Sequence, residues 1–421
     1  MTRTQWLPEL PRDWRVARLQ HLAATATSNV DKHSVDGQTA VRLCNYVDVY
    51  KNDAITPDMD LMPATATPEQ IARFALRRGD VVITKDSETS DDIGVPAFVA
   101  DSARDLVCGY HLSIVRPRER VTDPRFLYWL LESDVARTQW SVLATGVTRV
   151  GLKTGDIARL QVPFPPLPEQ RAVADYLDRE TAQIDTLIKE QQRLIDLALE
   201  RSRSQVAEQI DGWPLVPLRR AIGELRQGWS PNCEPWPADG VTDWAVLKVG
   251  CSNTGAFEPG QNKRLPDDET PRPELAVRKG EVIMSRANTK DLVGAAAVVD
   301  ADYPRLMLSD LNYGLTTNHL IDAQFLAISI NSGLLRHQIS AASKGTSPSM
   351  QKISQRDIRE LLVPVPPRSE QAKIVSRVSR LRRTVNELVS EAERLVELSR
   401  ERRAALITAA VTGQFDLGVS A

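Results

Sequence analysis

The chain has 421 residues, of which 42% are hydrophobic and 26% charged, with a formal net charge of −2. Such a composition belongs to globular domains with proper cores, and at ~150 residues per domain the length predicts more than one of them. A uniformly basic nucleic-acid binder is excluded, so any contact with a polyanion must rest on local patches. No run of about 18 apolar residues occurs, and the start MTRTQWLPEL lacks a signal peptide's basic-then-apolar layout, which predicts a cytoplasmic protein. Cys44, Cys108, Cys233 and Cys251 are widely spaced. His111 lies close to Cys108, but no second ligand pair accompanies them, so neither a disulfide framework nor a zinc site is predicted.

In chain order, residues 1–164 read as a globular unit of short strand-like patches separated by turn residues. Its clearest element is LRRGDVVITK (76–85), a tight turn at Gly79 followed by a short buried strand that ends in Thr84 and Lys85. The run VPFPPLP (162–168) cannot continue a sheet and forces an extended exit. From Pro168 the sequence holds no Gly or further Pro as far as Ile210, and it is rich in Ala, Leu, Glu, Gln and Arg, which predicts one long helix within 165–211. Residues 212–365 form a second globular unit, in which VRKGEVIMSR (277–286) repeats the earlier turn and strand. A second helix, with a tail, occupies 366–421.

The helical segments are copies at constant spacing. Pro165, Glu169, Gln170, Leu177, Leu187, Leu194 and Gly212 are matched by Pro366, Glu370, Gln371, Val378, Leu388, Leu395 and Gly413, each 201 residues on (366 − 165 = 201). Between the globular units the offset slips, since Phe126 matches Phe325 (325 − 126 = 199), so small insertions occur there but not in the helices. In the second helix Ile374, Val378, Leu381, Val385, Leu388, Ala392 and Leu395 alternate in steps of four and three. This predicts a heptad seam, with Leu177, Ile184, Leu187 and Leu194 on the first helix and Val378, Leu381, Val385, Leu388 and Leu395 on the second. Two such helices are natural partners for each other's stripe. Tyr176, Leu199 and Ile407 flank it and read as packing residues or as docking points for a partner.

Catalytic motifs are missing. There is no phosphate-binding G-x-x-x-x-G-K-[ST] loop, no G-x-G-x-x-G turn, no Asp or Glu followed two residues later by Lys, and no Asn- or Asp-Pro-Pro-aromatic run of the kind that holds a flipped base. His21, His33, His111, His319 and His337 form no recognisable pair, so no catalytic residue and no metal ligand is assigned.

The segment PPLPEQRAVADYLD (165–178) followed by TAQIDTLI (181–188) resembles the central conserved region of type I restriction-modification specificity subunits, and LITAAVTG (406–413) resembles the end of their distal conserved helix. The resemblance covers the whole chain, although the second copy reads PPRSEQ (366–371) without the Leu-Pro pair. It implies a mixed α+β fold with pseudo-two-fold internal repeat: target recognition domains at 1–164 and 212–365, separated by two long antiparallel coiled-coil helices, 165–211 and 366–421. It further implies a non-catalytic subunit, each recognition domain reading one half of a bipartite double-stranded DNA target while the helices fix the gap. Two modification subunits would dock on it, and ATP-dependent restriction subunits would join. S-adenosylmethionine, ATP and Mg would sit on those partners, with no cofactor bound by this chain. The alternative class is a stand-alone DNA methyltransferase or nuclease with an unrecognised site.

DNA reading needs cations for phosphates and amides or hydroxyls for base edges, which points to four segments. The strand ends supply Lys85 with Ser87, and Arg286 with Asn288 and Lys290. The loops ahead of the helices supply Thr145, Thr148, Arg149 and Lys153, and Lys344, Thr346, Ser347, Ser349 and Lys352. Polar surface turns share this composition. Arg77 with Arg78, Arg278 with Lys279, and Arg402 with Arg403 are weaker basic clusters, the last read as a solvated helix face or partner contact.

Overall fold

A computed structural model describes residues 6–345, 347 and 350–414. The chain divides into two compact units, Met1–Gln191 with Arg394–Ala421, and Gln192–Glu393. The predicted helices are Leu167–Ile210 and Arg368–Val411, each of 44 residues, starting beside the Pro-rich runs because proline is tolerated only in a first turn. No helix of the described residues is long and apolar enough to cross a membrane.

The first unit holds a five-stranded sheet in the order Ala23–Thr27, Leu112–Pro117, Val81–Thr84, Pro96–Val99, Ala54–Ile55. Beside it lies a three-stranded sheet, Met62–Ala66, Thr39–Cys44 and Leu106–Cys108. Val81, Val82, Ile83 and Thr84 are all buried, as the GDVVIT motif predicts for a central strand. The second unit repeats the plan with Ile222–Gln227, Asn312–Thr317, Val282–Ser285 and Ala296–Val298 in one sheet and Asn262–Arg264, Ala245–Leu247 and Leu306–Met307 in another. Chain ends are tied in the same way, Arg15–Arg18 pairing with Gln161–Phe164 and Leu215–Pro217 with Leu362–Pro364, antiparallel in both cases.

The acid after each turn glycine is structural. Arg116 donates to both oxygens of Asp80 at 2.7 and 2.6 Å, and Asp80 is nearly sealed from solvent. In the second unit Glu281 takes the equivalent place, but its partner, Arg226, comes from a different strand and reaches both oxygens at 2.6 and 2.7 Å. A buried carboxylate must be paired, and the two units have met that requirement separately.

Each recognition core is completed by helix ends. In the first unit Val173, Ala174 and Leu177 at the start of one helix and Ile407, Ala410 and Val411 at the end of the other join the cluster around Phe126, Trp129 and Trp140. In the second unit Val206 and Ile210 join Ile374 and Val378 around Phe325, Leu326 and Ile330. The two helices therefore run antiparallel, and each buried Val, Leu or Ile among these contributes roughly 1.5–3 kcal/mol by burial.

The repeated Glu-Gln pair explains how helix and domain are joined. Gln170 is fully buried; its Oε1 accepts from the Asp123 amide at 2.8 Å, and its Nε2 donates to the carbonyls of Val121 and Pro165 at 3.1 and 3.0 Å. Gln371 does the same with the Asp322 amide at 2.7 Å and the carbonyls of Leu320 and Pro366 at 2.8 Å. Asp123 and Asp322 in turn cap the helices Pro124–Glu132 and Ala323–Ile330. In the first unit Arg403 adds a second anchor, 3.1 Å from both Glu132 and Asp185. Burial pushes the Glu132 carboxyl up, and Arg403 pulls it back down. Arg403 is thus an interior tie, which corrects its reading as a solvated or partner-facing residue.

The buried stripe departs from the expected heptad. Leu177, Ile184 and Val378 are buried, and Leu381 and Val385 are partly so. Leu187, Leu194, Leu388 and Leu395, however, are 43%, 42%, 39% and 39% exposed. Ala392 of the expected heptad is buried too, but the inward side chains that run the length of both helices are Val173, Ile184, Ile195 and Val206, and, each 201 residues later, Ile374, the partly buried Val385, Val396 and Ile407. These recur every eleven residues (195 − 184 = 11). An α-helix turns by 3.6 residues, so a seven-residue stripe drifts ~20° per repeat and leaves the contact, whereas eleven residues, at ~3.67 per turn, stay on one face. Ile407 is core, and Tyr176 packs against it.

Candidate nucleic-acid interface

In both units the structure joins the two sequence segments that carry the candidate residues. Val150 pairs with Ser87 and Gly151 with Asp86, so the loop before the first long helix lies against the end of the GDVVIT strand. The second unit matches this with Ala287 on Lys352 and Asn288 on Gln351. Each loop is pinched at its base by a two-way backbone bridge, Thr145 with Gly151 and Lys344 with Lys352. Gly146 is required there: its φ is +149°, and a Cβ would fall 1.9 Å from the Arg149 carbonyl oxygen.

On the first unit Thr145, Thr148, Arg149 and Lys153 are exposed at this edge. Lys85 is not free. Its Nζ lies 2.5 Å from Asp86, whose same oxygen is 2.8 Å from Nδ1 of His111, and it stands over the Tyr110 ring at 5.3 Å. Ser87 is buried under the loop. The segment's reach toward solvent passes instead to Tyr110, 48% exposed, which sequence reasoning missed because an isolated tyrosine carries no spacing signal.

On the second unit Lys290, Lys344 and Lys352 are exposed, and Ser347 is partly so. Thr346 and Ser349 lie outside the described residues. Arg286 donates to the Asp310 carbonyl at 3.0 Å, while Asn288 donates to Asn253 at 3.0 Å and accepts from the Thr289 amide at 2.9 Å. Arg286, Lys344 and Lys352 border an open groove with Gln227, Tyr313 and Arg356. Burial raises the Tyr313 phenol, and Arg286 acts against that shift; the ring is buried behind the groove and its hydroxyl donates to the Ile353 carbonyl at 3.2 Å. Arg356 was also missed; its neighbour Asp357 belongs to the repeat, and that was the available signal. Four cations against the nearby Asp357 and Glu360, and Asp310 at 3.9 Å from Arg286, still leave the groove a positive balance suited to phosphate oxygens.

Cys44, Cys108 and Cys251 are buried free thiols, and burial pushes Cys251 up to about 12, which makes it a poor nucleophile. Among the described residues no group of His, Cys, Asp and Glu is placed to hold a metal ion.

Comparison with known proteins agrees with this geometry. Residues 45–196 match the family model for the type I restriction modification DNA specificity domain. The chain is 29% identical over 181 residues to the type I restriction enzyme EcoEI specificity subunit of Escherichia coli, covering 42% of this chain and 30% of that protein. It is 24% identical over 325 residues to the EcoKI specificity subunit of Escherichia coli strain K12, covering 72% of this chain and 67% of that one. Among solved structures, a chain from work on complex assembly and conformational transition of the type I R-M system superposes with a TM-score of 0.73 at 18% identity, covering 97% of this chain and 100% of that one. The HsdS subunit from Thermoanaerobacter tengcongensis gives 0.53 at 19% identity, covering 99% and 100%. At these identities the superpositions speak for the fold alone.

Proposed function

We propose, from the premise that this chain belongs to the specificity subunits of type I restriction-modification systems, that it reads a bipartite double-stranded DNA target without catalysing any step itself. The observation that carries the reading is the repeated edge: in each unit a strand end and a glycine-containing loop are clamped together, leaving Arg149 and Lys153 on one, and Lys344, Lys352 and Arg356 on the other, free to meet phosphates. Duplicated scaffold with different edge residues suits two half-sites of different sequence. At ~1.5 Å per residue, each 44-residue helix spans about 66 Å, enough to act as the ruler between half-sites.

Two modification subunits would supply S-adenosylmethionine chemistry, and restriction subunits ATP and Mg. Leu187, Leu194 and Leu197 on the first helix and Leu388, Leu395 and Leu398 on the second are exposed and repeat at 201 residues (398 − 197 = 201), which fits docking of one partner copy per helix. A reader of genomic DNA of this kind would work in the cytoplasm.

Footprinting on methylated and unmethylated genomic targets tests the reading. Two protected half-sites at fixed spacing, and no methyl transfer from labelled S-adenosylmethionine by the chain alone, are expected. Methyl transfer without any added subunit would overturn it in favour of a stand-alone methyltransferase.

A further inference from the structure

We infer that the first unit carries a separate docking site for an acidic segment of a partner protein, a cavity of about 420 Å³ beside the start of the first long helix. Arg77, Arg78, Arg120 and Arg171 line it, and none of their side chains makes an ion pair or hydrogen bond with another described residue. Arg116 also reaches it but is already committed to Asp80. The acids present do not neutralise the four: Asp80 is bonded to Arg116 and Asp123 caps a helix, which leaves Glu119.

The site is distinct from the nucleic-acid edge. Arg77 and Arg78 precede the strand Val81–Thr84, while Lys85 and the Arg149 loop lie beyond its far end, roughly 13 Å away at ~3.3 Å per residue. Its cations come from separate segments that only the fold brings together. Arg120 is held at φ +62°, alone among described non-glycine residues in having positive φ, a strained conformation that tends to persist where a side chain's placement matters.

An acidic peptide fits better than a bare polyphosphate. Guanidinium forks pair with carboxylates and phosphates alike, but the lining has no glycine-rich run of backbone amides to cradle a phosphate. Pro117, Pro124 and Leu167 provide an apolar floor for a hydrophobic side chain between the acids. The site is only partly repeated. Arg278 and Lys279 match Arg77 and Arg78 at 201 residues, but Arg278 is paired with Glu224 at 3.6 Å, and Ala372 stands where the repeat places Arg171 (372 − 171 = 201), so a general scaffolding role, which both halves would need, does not explain the unpaired set.

The test is titration of the full chain with a labelled peptide of four glutamates around a central leucine, with tripolyphosphate as competitor. Saturable binding is expected, weakened about tenfold or more by joint Arg78→Glu and Arg171→Glu substitution, with unchanged melting temperature and unchanged half-site footprint because both side chains are exposed. Joint replacement by lysine, which keeps charge and removes the fork, should give an intermediate loss. Absence of saturable binding, binding indifferent to the charge reversals, or tighter binding of tripolyphosphate than of the peptide would each overturn the inference.

Discussion

Replacing Gln170 by alanine tests the joint on which the architecture turns. The side chain is fully buried and satisfies the Asp123 amide and the carbonyls of Val121 and Pro165. Truncation leaves one donor and two acceptors without a partner in a site closed to solvent, and at ~1 kcal/mol for each net bond plus ~1–3 kcal/mol for an unsatisfied group the loss should be about 3–4 kcal/mol. In a unit of roughly 200 residues that lowers the melting temperature by about 10 °C. Calorimetry measures the size, and amide hydrogen exchange locates it. The Asp123 amide should lose protection in Gln170→Ala and the Asp322 amide in Gln371→Ala, each without the other. Gln170→Glu keeps the acceptor but turns a carboxylate toward two carbonyl oxygens. Its folded-state pKa would be raised, so the damage should grow as pH rises through the carboxylate range and shrink toward acid. A loss below about 1 kcal/mol, or equal deprotection at both amides, would refute the clamp.

The eleven-residue stripe makes adjacent residues unequal: Ile195→Ala, at 6% exposure, should cost about 2–4 kcal/mol and Leu194→Ala, at 42%, less than about 1 kcal/mol in urea unfolding. Equal losses would restore the heptad. Arg149→Ala should weaken protection of one half-site and Lys352→Ala the other, each lowering the salt slope of binding by about one unit; simultaneous loss at both would contradict independent readers. Lys85→Met should disturb the first unit's edge by leaving Asp86 with His111 alone, so it should lower stability, measured by thermal melting, as well as affinity. The hydrogen bond from Arg42 holds the Asp105 carboxyl below its usual value. The bond's contribution to stability is therefore present above the unfolded-state pKa and lost as pH falls through the depressed one; Asp105→Asn should flatten that part of an acid titration.

The candidate site shows where local reading stops. Arg149 and Lys352 were legible because glycine, hydroxyls and a cation in one loop form a pattern visible in order along the chain. Lys85 fitted the same pattern, yet Asp86, next in sequence, and His111, brought in from another strand, occupy it. Arg356 and Tyr110 were invisible because their role depends on which strand end they lie against.

Sequence alone determined the duplication, the two long helices and their Pro-rich starts, since the constant 201-residue offset and the absence of helix breakers are one-dimensional facts. Tertiary structure decided which leucines face inward. The choice between a seven- and an eleven-residue stripe depends on how far a packed helix rotates over several turns, and the sequence offers apolar residues for both, with Ile184 common to the two on the first helix. It also decided that the repeated glutamine is a buried lock, because a side chain's partners are set by the backbone groups that folding brings within its reach.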